Sequence, residues 1–189
     1  MKNSIHAFSL ILMVLLFLSG CVQESKTRKN DQEQPEQFVL YAGKDTLMPG
    51  EESMRMVPVA DRFISVPANL EIGEKIRIIS DSLSAYYFDG REIKILSLDS
   101  LEGTGLVLHL NLAEPSNYEG PGTAPEYRSW YDFFQGSYGG QNTSIILRES
   151  FLQPGFDGPW IDAILFYYQG QPIGQWDHLF LDGLVKATP

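Results

Sequence analysis

Apolar residues recur along this chain in two rhythms. Ile72, Ile76, Ile79, Leu83 and Tyr86 step by three and four, the spacing of one stripe on an α-helix. Asn69 stands before the stripe as the expected N-cap, Glu71 and Glu74 suit the positive end of the helix dipole, and Asp89-Gly90 supplies the stop. The spacing predicts a helix over residues 70–88. Leu106, Leu108, Leu110 and Leu112 alternate instead with Val107, His109 and Asn111, the period of a strand with one face toward a core. The leucine face is expected to meet the helix.

The remaining elements follow from the same two periods and from the turn residues between them. Phe38-Val39-Leu40-Tyr41 opens a strand, Pro49-Gly50 breaks the chain, and Met54 to Ser65 forms a second strand. Pro58 has no N–H to give to a ladder, so this second strand belongs at an edge or is broken there. Glu92 to Leu98 is a third strand, turned into the leucine strand by Glu102-Gly103-Thr104-Gly105. A long connection from Glu114 to Gln141 carries Tyr118, Tyr127, Trp130, Tyr131, Phe133, Phe134 and Tyr138. Within it Tyr127 to Phe134 reads as a short helix that packs Phe133 and Phe134. Asn142-Thr143 then reads as the cap of a second main helix over Ile145 to Leu152, with Ile145, Leu152 and one of Leu147 or Phe151 facing in, stopped by Pro154-Gly155. Trp160 to Tyr168 is apolar on both faces apart from Asp162, as a central strand is. Ile173 to Leu184 reads as a last strand pair or an irregular cap. The order β-β-α-β-β-loop-α-β-β predicts an α+β two-layer sandwich. It has a mixed sheet of about five strands with two main helices on one face.

Ahead of these elements the pattern is different. Ala7 to Leu18 is an apolar run broken only by Ser9. It is too short for a hydrocarbon layer about 30 Å thick, which needs roughly 20 residues, and has the length of a secretory signal core. Leu18-Ser19-Gly20-Cys21 follows, and Cys21 is the only cysteine of the chain. These four residues resemble a lipobox. They predict a signal peptide over residues 1–20, a lipid on Cys21, a polar tether over residues 21–37 and one domain over residues 38–189. Localisation at the cell membrane or outer membrane, on the extracytoplasmic side, follows, with the lipid as the membrane partner. With no second cysteine the domain holds no internal disulfide, so its stability rests on its core.

Charge narrows the partners. The chain has 14 basic and 24 acidic residues and a net charge of −10; loss of residues 1–20 removes one further cation, Lys2. A domain this acidic repels a phosphate backbone, which excludes nucleic acid as a partner.

The order also resembles the GerMN domain of sporulation and spore germination proteins. The likeness runs over roughly Phe38 to Pro172. It rests on the "VLYAG" and "MRMVPV" strands with the following Arg62, and on the helix around Ile76 to Leu83. The "LVLHLNLAE" strand, the "NTSIILRESF" helix and the "WIDAILFYYQGQPI" strand-turn complete it. The resemblance implies an envelope-associated binding module rather than an enzyme, and carries no catalytic residue or cofactor with it. The long aromatic insert and the tail from Gly174 onward depart from the family pattern.

Candidate chemistry is sparse. The aromatic insert is the best ligand candidate, through Trp130, Tyr131, Tyr127 and Tyr138, because flat rings among glycines suit a sugar face or a protein partner. His109 and Asn111 share one strand face and would join them if that face lined a pocket. The rival is an extracytoplasmic hydrolase that combines Asp177 or Asp162 with His178 or His109; a purely structural subunit of an envelope complex is the third reading. No HExxH or paired-cysteine spacing supports a metal, and Asp157, Asp162, Asp177 and Asp182 lack EF-hand spacing. No metal or cofactor is expected. Phe38 stands where Gly43-Lys44 would need a glycine for a phosphate loop, and Gly136-Ser137-Tyr138-Gly139 has the wrong spacing for a nucleophile elbow. Asn142-Thr143-Ser144 matches a glycosylation sequon, which the capping role accounts for.

Overall fold

Each predicted run folds as its period requires. The computed structural model describes residues 34–121 and 128–187; Cys21, the signal peptide, most of the tether and Tyr127 lie outside them. The first strand, β1 (Glu36–Leu47), pairs antiparallel with β2 (Met54–Val66). Helix α1 (Ile72–Tyr87) follows, then β3 (Ile93–Leu101) and β4 (Gly105–Leu112) as a hairpin. A short helix α2 (Trp130–Phe134) and a long helix α3 (Ser137–Leu152) cross to β5 (Ala163–Tyr168), which runs parallel to β4. Two short strands, β6 (Gln171–Pro172) and β7 (Leu184–Lys186), both pair antiparallel with β5.

The result is an α+β sandwich with a mixed five-stranded sheet, in the order β3-β4-β5-β6 with β7 also on β5. The first two strands do not join that sheet but form a two-stranded sheet of their own. Leu108, Leu110 and Leu112 are fully buried and share one core with Ile76, Ile79 and Leu83 of α1 and Leu147 and Phe151 of α3. Ile164 and Phe166 of β5 lie opposite Leu108 and Leu110 in register and extend the same face. Both main helices therefore cover the leucine face, as the alternation predicts.

Local differences have local causes. Helix α1 is capped at Glu71 rather than Asn69: the Glu74 carboxylate accepts from the Glu71 N–H at 3.3 Å, one half of a capping box. Asn69 is spent in the preceding turn, where the Leu70 N–H donates to the Pro67 carbonyl at 3.3 Å. The stop is as expected, with Asp89 and Gly90 at positive φ and the Gly90 N–H returning to the Ser84 carbonyl. Helix α3 begins eight residues before Ile145, after Gly136, so Asn142 and Thr143 are inside the helix and not its cap. Its inward residues are Ile146, Leu147, Phe151 and Leu152, while Ile145 is half-buried. The hairpin strand starts at Glu36, two residues ahead of the predicted domain start.

The separate hairpin is held by an unusual edge. The N–H groups of Val39, Tyr41 and Gly43 point away from β2 and are received by α3 side chains: Gln153 Oε1 at 2.9 Å, Ser150 Oγ at 2.9 Å and Asn142 Oδ1 at 2.8 Å. The Gln153 amide also donates to the Val39 carbonyl at 2.7 Å, so one side chain replaces a strand's peptide group on both counts. Gln153 itself closes α3 in the left-handed region at φ 47°. The same alternation puts Pro58, opposite Gly43, with its nitrogen toward the free edge of β2, where a missing donor costs the ladder nothing and blocks a further strand. Across the hairpin's inner face Lys75 Nζ meets Glu36 Oε2 at 2.6 Å. Replacing Gln153 by alanine is expected to cost about 2–3 kcal/mol in urea denaturation, because both Val39 groups lose their partner. Hydrogen exchange at Val39 should speed up before that at Leu110.

Candidate functional site

The long connection folds back onto the carboxyl ends of β4 and β5. Its anchor is Glu114, two residues past β4, whose side chain is buried. The Glu114 carboxylate accepts from the Trp130 N–H at 3.0 Å, the Tyr131 N–H at 2.8 Å and the Tyr168 hydroxyl at 2.9 Å. It thereby receives the first free N–H groups of α2, a helix also capped by Ser129 and Asp132 in a reciprocal box. Arg128 Nε donates to Asp89 Oδ2 at 3.0 Å, and its guanidinium lies 4.6 Å over the Phe133 ring. The insert is thus pinned to the ends of β4, β5 and α1.

One helical step separates the fates of two neighbouring rings. Trp130 is fully buried against Phe88, at a centroid distance of 4.8 Å, and its indole N–H donates to the Glu92 carbonyl at 3.3 Å. Trp130 is therefore a core residue, which corrects its reading as a ligand contact: its faces are taken by Phe88, Phe133 and Phe134. Tyr131, next along, turns outward and meets Trp176 edge to face at 5.7 Å and 66°. Behind them Phe134 and Tyr168 contact Trp176 at 5.2 and 5.8 Å.

Tyr131 and Trp176 form one corner of a cleft of about 340 Å³, completed by Gln135, Gly136, Asp177 and His178. Asp177 and His178 sit at the tip of a turn closed by the Trp176–Leu179 bridge, with His178 at φ 67°. Left-handed backbone costs a non-glycine residue roughly 1–2 kcal/mol, so the turn holds this imidazole at the rim at some expense. Helix α3 supports both walls. A Cβ at Gly140 would lie 2.8 Å from the His178 carbonyl oxygen and 3.0 Å from that of Phe134, so only glycine permits the approach. The Thr143 hydroxyl donates to the Phe133 carbonyl at 2.9 Å, and Ser144 Oγ accepts from the Phe180 N–H at 2.8 Å. Asn142, Thr143 and Ser144 thus tie the hairpin, the insert and the carboxyl-terminal turn to one helix, which is the structural use of the sequon-like triplet.

The other candidates lie elsewhere. Tyr138 is exposed on the first turn of α3. Asn111 is buried and its side-chain oxygen accepts from the Gly170 N–H at 2.8 Å, so it fixes the β5–β6 turn. His109 Nδ1 is 3.2 Å from the Tyr167 hydroxyl, and its Nε2 is 3.5 Å from Asp99 Oδ2, to which Ser97 Oγ donates at 2.7 Å. The outward face of β4 therefore does not line the cleft. Asp162 accepts from the Leu106 N–H at 2.7 Å at the start of β4, a strand's length of roughly 20 Å from the cleft at the far end of β5. The structure does not bring Asp162 and His109 to Asp177 and His178. No group of three or more metal-binding side chains occurs among the described residues.

Burial raises the Tyr168 phenol well above the ordinary tyrosine range, and the hydrogen bond to Glu114 adds to it. Burial likewise raises Tyr87, with its hydrogen bond to Asp61 second. A folded pKa above the unfolded value means that these groups support the fold fully below the unfolded tyrosine value of 10.0 and lose that support as pH rises beyond it. Stability is expected to fall steeply above about pH 10, and less steeply in Tyr168→Phe, as thermal melts at stepped pH would show.

The chain matches no protein-family model, no curated protein and no solved structure. Among the described residues no helix is long and apolar enough to cross a membrane. Glu114, Gln135 and Trp176 are the site residues that sequence reasoning did not select. Trp176 directly precedes Asp177 and His178, and that adjacency was the available signal; a lone glutamate after a strand carries none.

Proposed function

We propose that this protein is a lipid-anchored, extracytoplasmic binding module of a bacterial envelope, with its ligand held in the Tyr131–Trp176 cleft. The observation that carries this reading is the convergence of two remote segments, the insert and the carboxyl-terminal turn, on one concave aromatic corner with polar side chains around it. The lipobox-like Leu18-Ser19-Gly20-Cys21 supports the anchoring. Several buried acyl chains at about 0.8 kcal/mol per CH₂ suffice for it, with no basic patch. The GerMN-like order of elements supports a binding rather than a catalytic role, with the cell membrane or outer membrane as its place.

Two measurements test the reading. Cell fractionation should find the wild type in membranes and Cys21→Ser in the soluble extracytoplasmic fraction. Purified Cys21→Ser protein, which has no lipid to hold it, should co-sediment with isolated bacterial envelope, and its Trp176→Ala variant should not. Equal co-sedimentation of the two proteins would remove the cleft from the proposal.

A further inference from the structure

We infer that the cleft takes one ring of a neutral glycan, stacked against the Tyr131–Trp176 corner; this rests on the binding reading above and names its ligand class. Three observations carry it. First, the two rings stand at 66° to each other, 5.7 Å apart, with Trp176 and Tyr131 both only partly buried. A pyranose has one apolar face of C–H groups, whose partial positive charge suits the negative face of an aromatic ring, and burying that face releases water from both. Second, the polar side chains around the corner are Gln135, Asp177 and His178. Together they offer donors and acceptors in mixture, as a rim of hydroxyl groups requires, since each hydroxyl both gives and accepts. Third, no Lys or Arg is among the described residues lining the cleft, and Asp177 is. On a chain of net charge −10 this disfavours an anionic polymer.

A polypeptide partner fits the cleft less well. A stable protein interface buries roughly 1,200–2,000 Å² around an apolar centre. The two most exposed large apolar side chains among the described residues, Met54 and Phe63, are instead on the hairpin. A volume of about 340 Å³ lies at the small-ligand end of binding sites, which span roughly 300–1,000 Å³.

The experiment is calorimetric titration of the full chain in detergent with tetramers of N-acetylglucosamine, glucose and mannose, and with polygalacturonate as the acidic counterpart. At least one neutral tetramer is expected to bind. Trp176→Ala should weaken that binding about tenfold, the worth of one ring contact, in a protein that circular dichroism shows to be still folded. Gln135→Ala should weaken it less. Polygalacturonate binding as tightly as the neutral sugars would overturn the neutral class. Failure of every sugar to bind, while envelope still retains the lipid-free Cys21→Ser protein and releases its Trp176→Ala variant, would overturn the glycan ligand and leave the binding reading standing. If envelope retains neither protein, both fall.

Discussion

Glu114→Ala is expected to lower the stability of the protein by about 3–5 kcal/mol and to release the aromatic insert. The buried carboxylate receives two backbone N–H groups at the start of α2 and the Tyr168 hydroxyl. Hydrogen bonds to a charged group are each worth about 1.5–3 kcal/mol, and truncation leaves three donors in a space where water does not replace the carboxylate. Glu114→Gln should lose less, since one oxygen remains, but its NH₂ then faces an N–H donor. Urea denaturation gives the free energies. The near-ultraviolet circular dichroism of the Trp130, Phe134 and Trp176 cluster reports whether the insert has moved. A Glu114→Ala protein that keeps both its midpoint and its aromatic signal would show that the insert is held by packing alone.

Trp130→Ala is expected to be comparably damaging, by about 3–5 kcal/mol, because a fully buried aromatic leaves a cavity that its neighbours fill only in part. Phe88, Phe133 and Phe134 all lose a ring contact. Trp130→Phe keeps most of the packing and gives up the bond to the Glu92 carbonyl, for about 1–2 kcal/mol. The comparison with Trp176 is the informative one. Trp176→Ala, at a half-buried ring that meets Tyr131, Phe134 and Tyr168 edge to face, should cost less, about 1–2 kcal/mol, and act on binding. Thermal unfolding of the two variants side by side separates a core tryptophan from a site tryptophan.

Elements with a strong local period were legible from residues alone. Ile76, Ile79 and Leu83 on α1 and Leu108, Leu110 and Leu112 on β4 are all fully buried, because period and burial are tied by backbone geometry. The start of α3 was not legible. Its first turns carry Gly139 and Gly140 and no apolar stripe, so Asn142 resembled a cap. Gly140 is there because the helix approaches the Phe134 and His178 carbonyls, Gly139 faces the Phe133 carbonyl, and Asn142 is there because a hairpin needs an acceptor. Both reasons lie in partners distant along the chain.

The site divides in the same way. A cluster of rings between Tyr118 and Tyr138 was visible as composition. Whether Trp130 or Tyr131 reaches the cleft depended on the roughly 100° between successive helical residues, once Glu114 had set where α2 begins. Trp130 went to the core and Tyr131 to the cleft. His109 and Asn111, adjacent on one strand face as alternation demands, found partners in Tyr167, Asp99 and Gly170 instead of a pocket.

Periodicity and turn residues were enough for the α+β class, the leucine face and the edge position of Pro58. Each of these depends on residues near in sequence or on a sum over the chain. The separate hairpin, the Gln153 clamp, the Glu114 anchor and the pairing of Tyr131 with Trp176 were decided only by folding. A polar or aromatic side chain takes its role from whatever lies across the gap, and that neighbour is supplied by the tertiary structure.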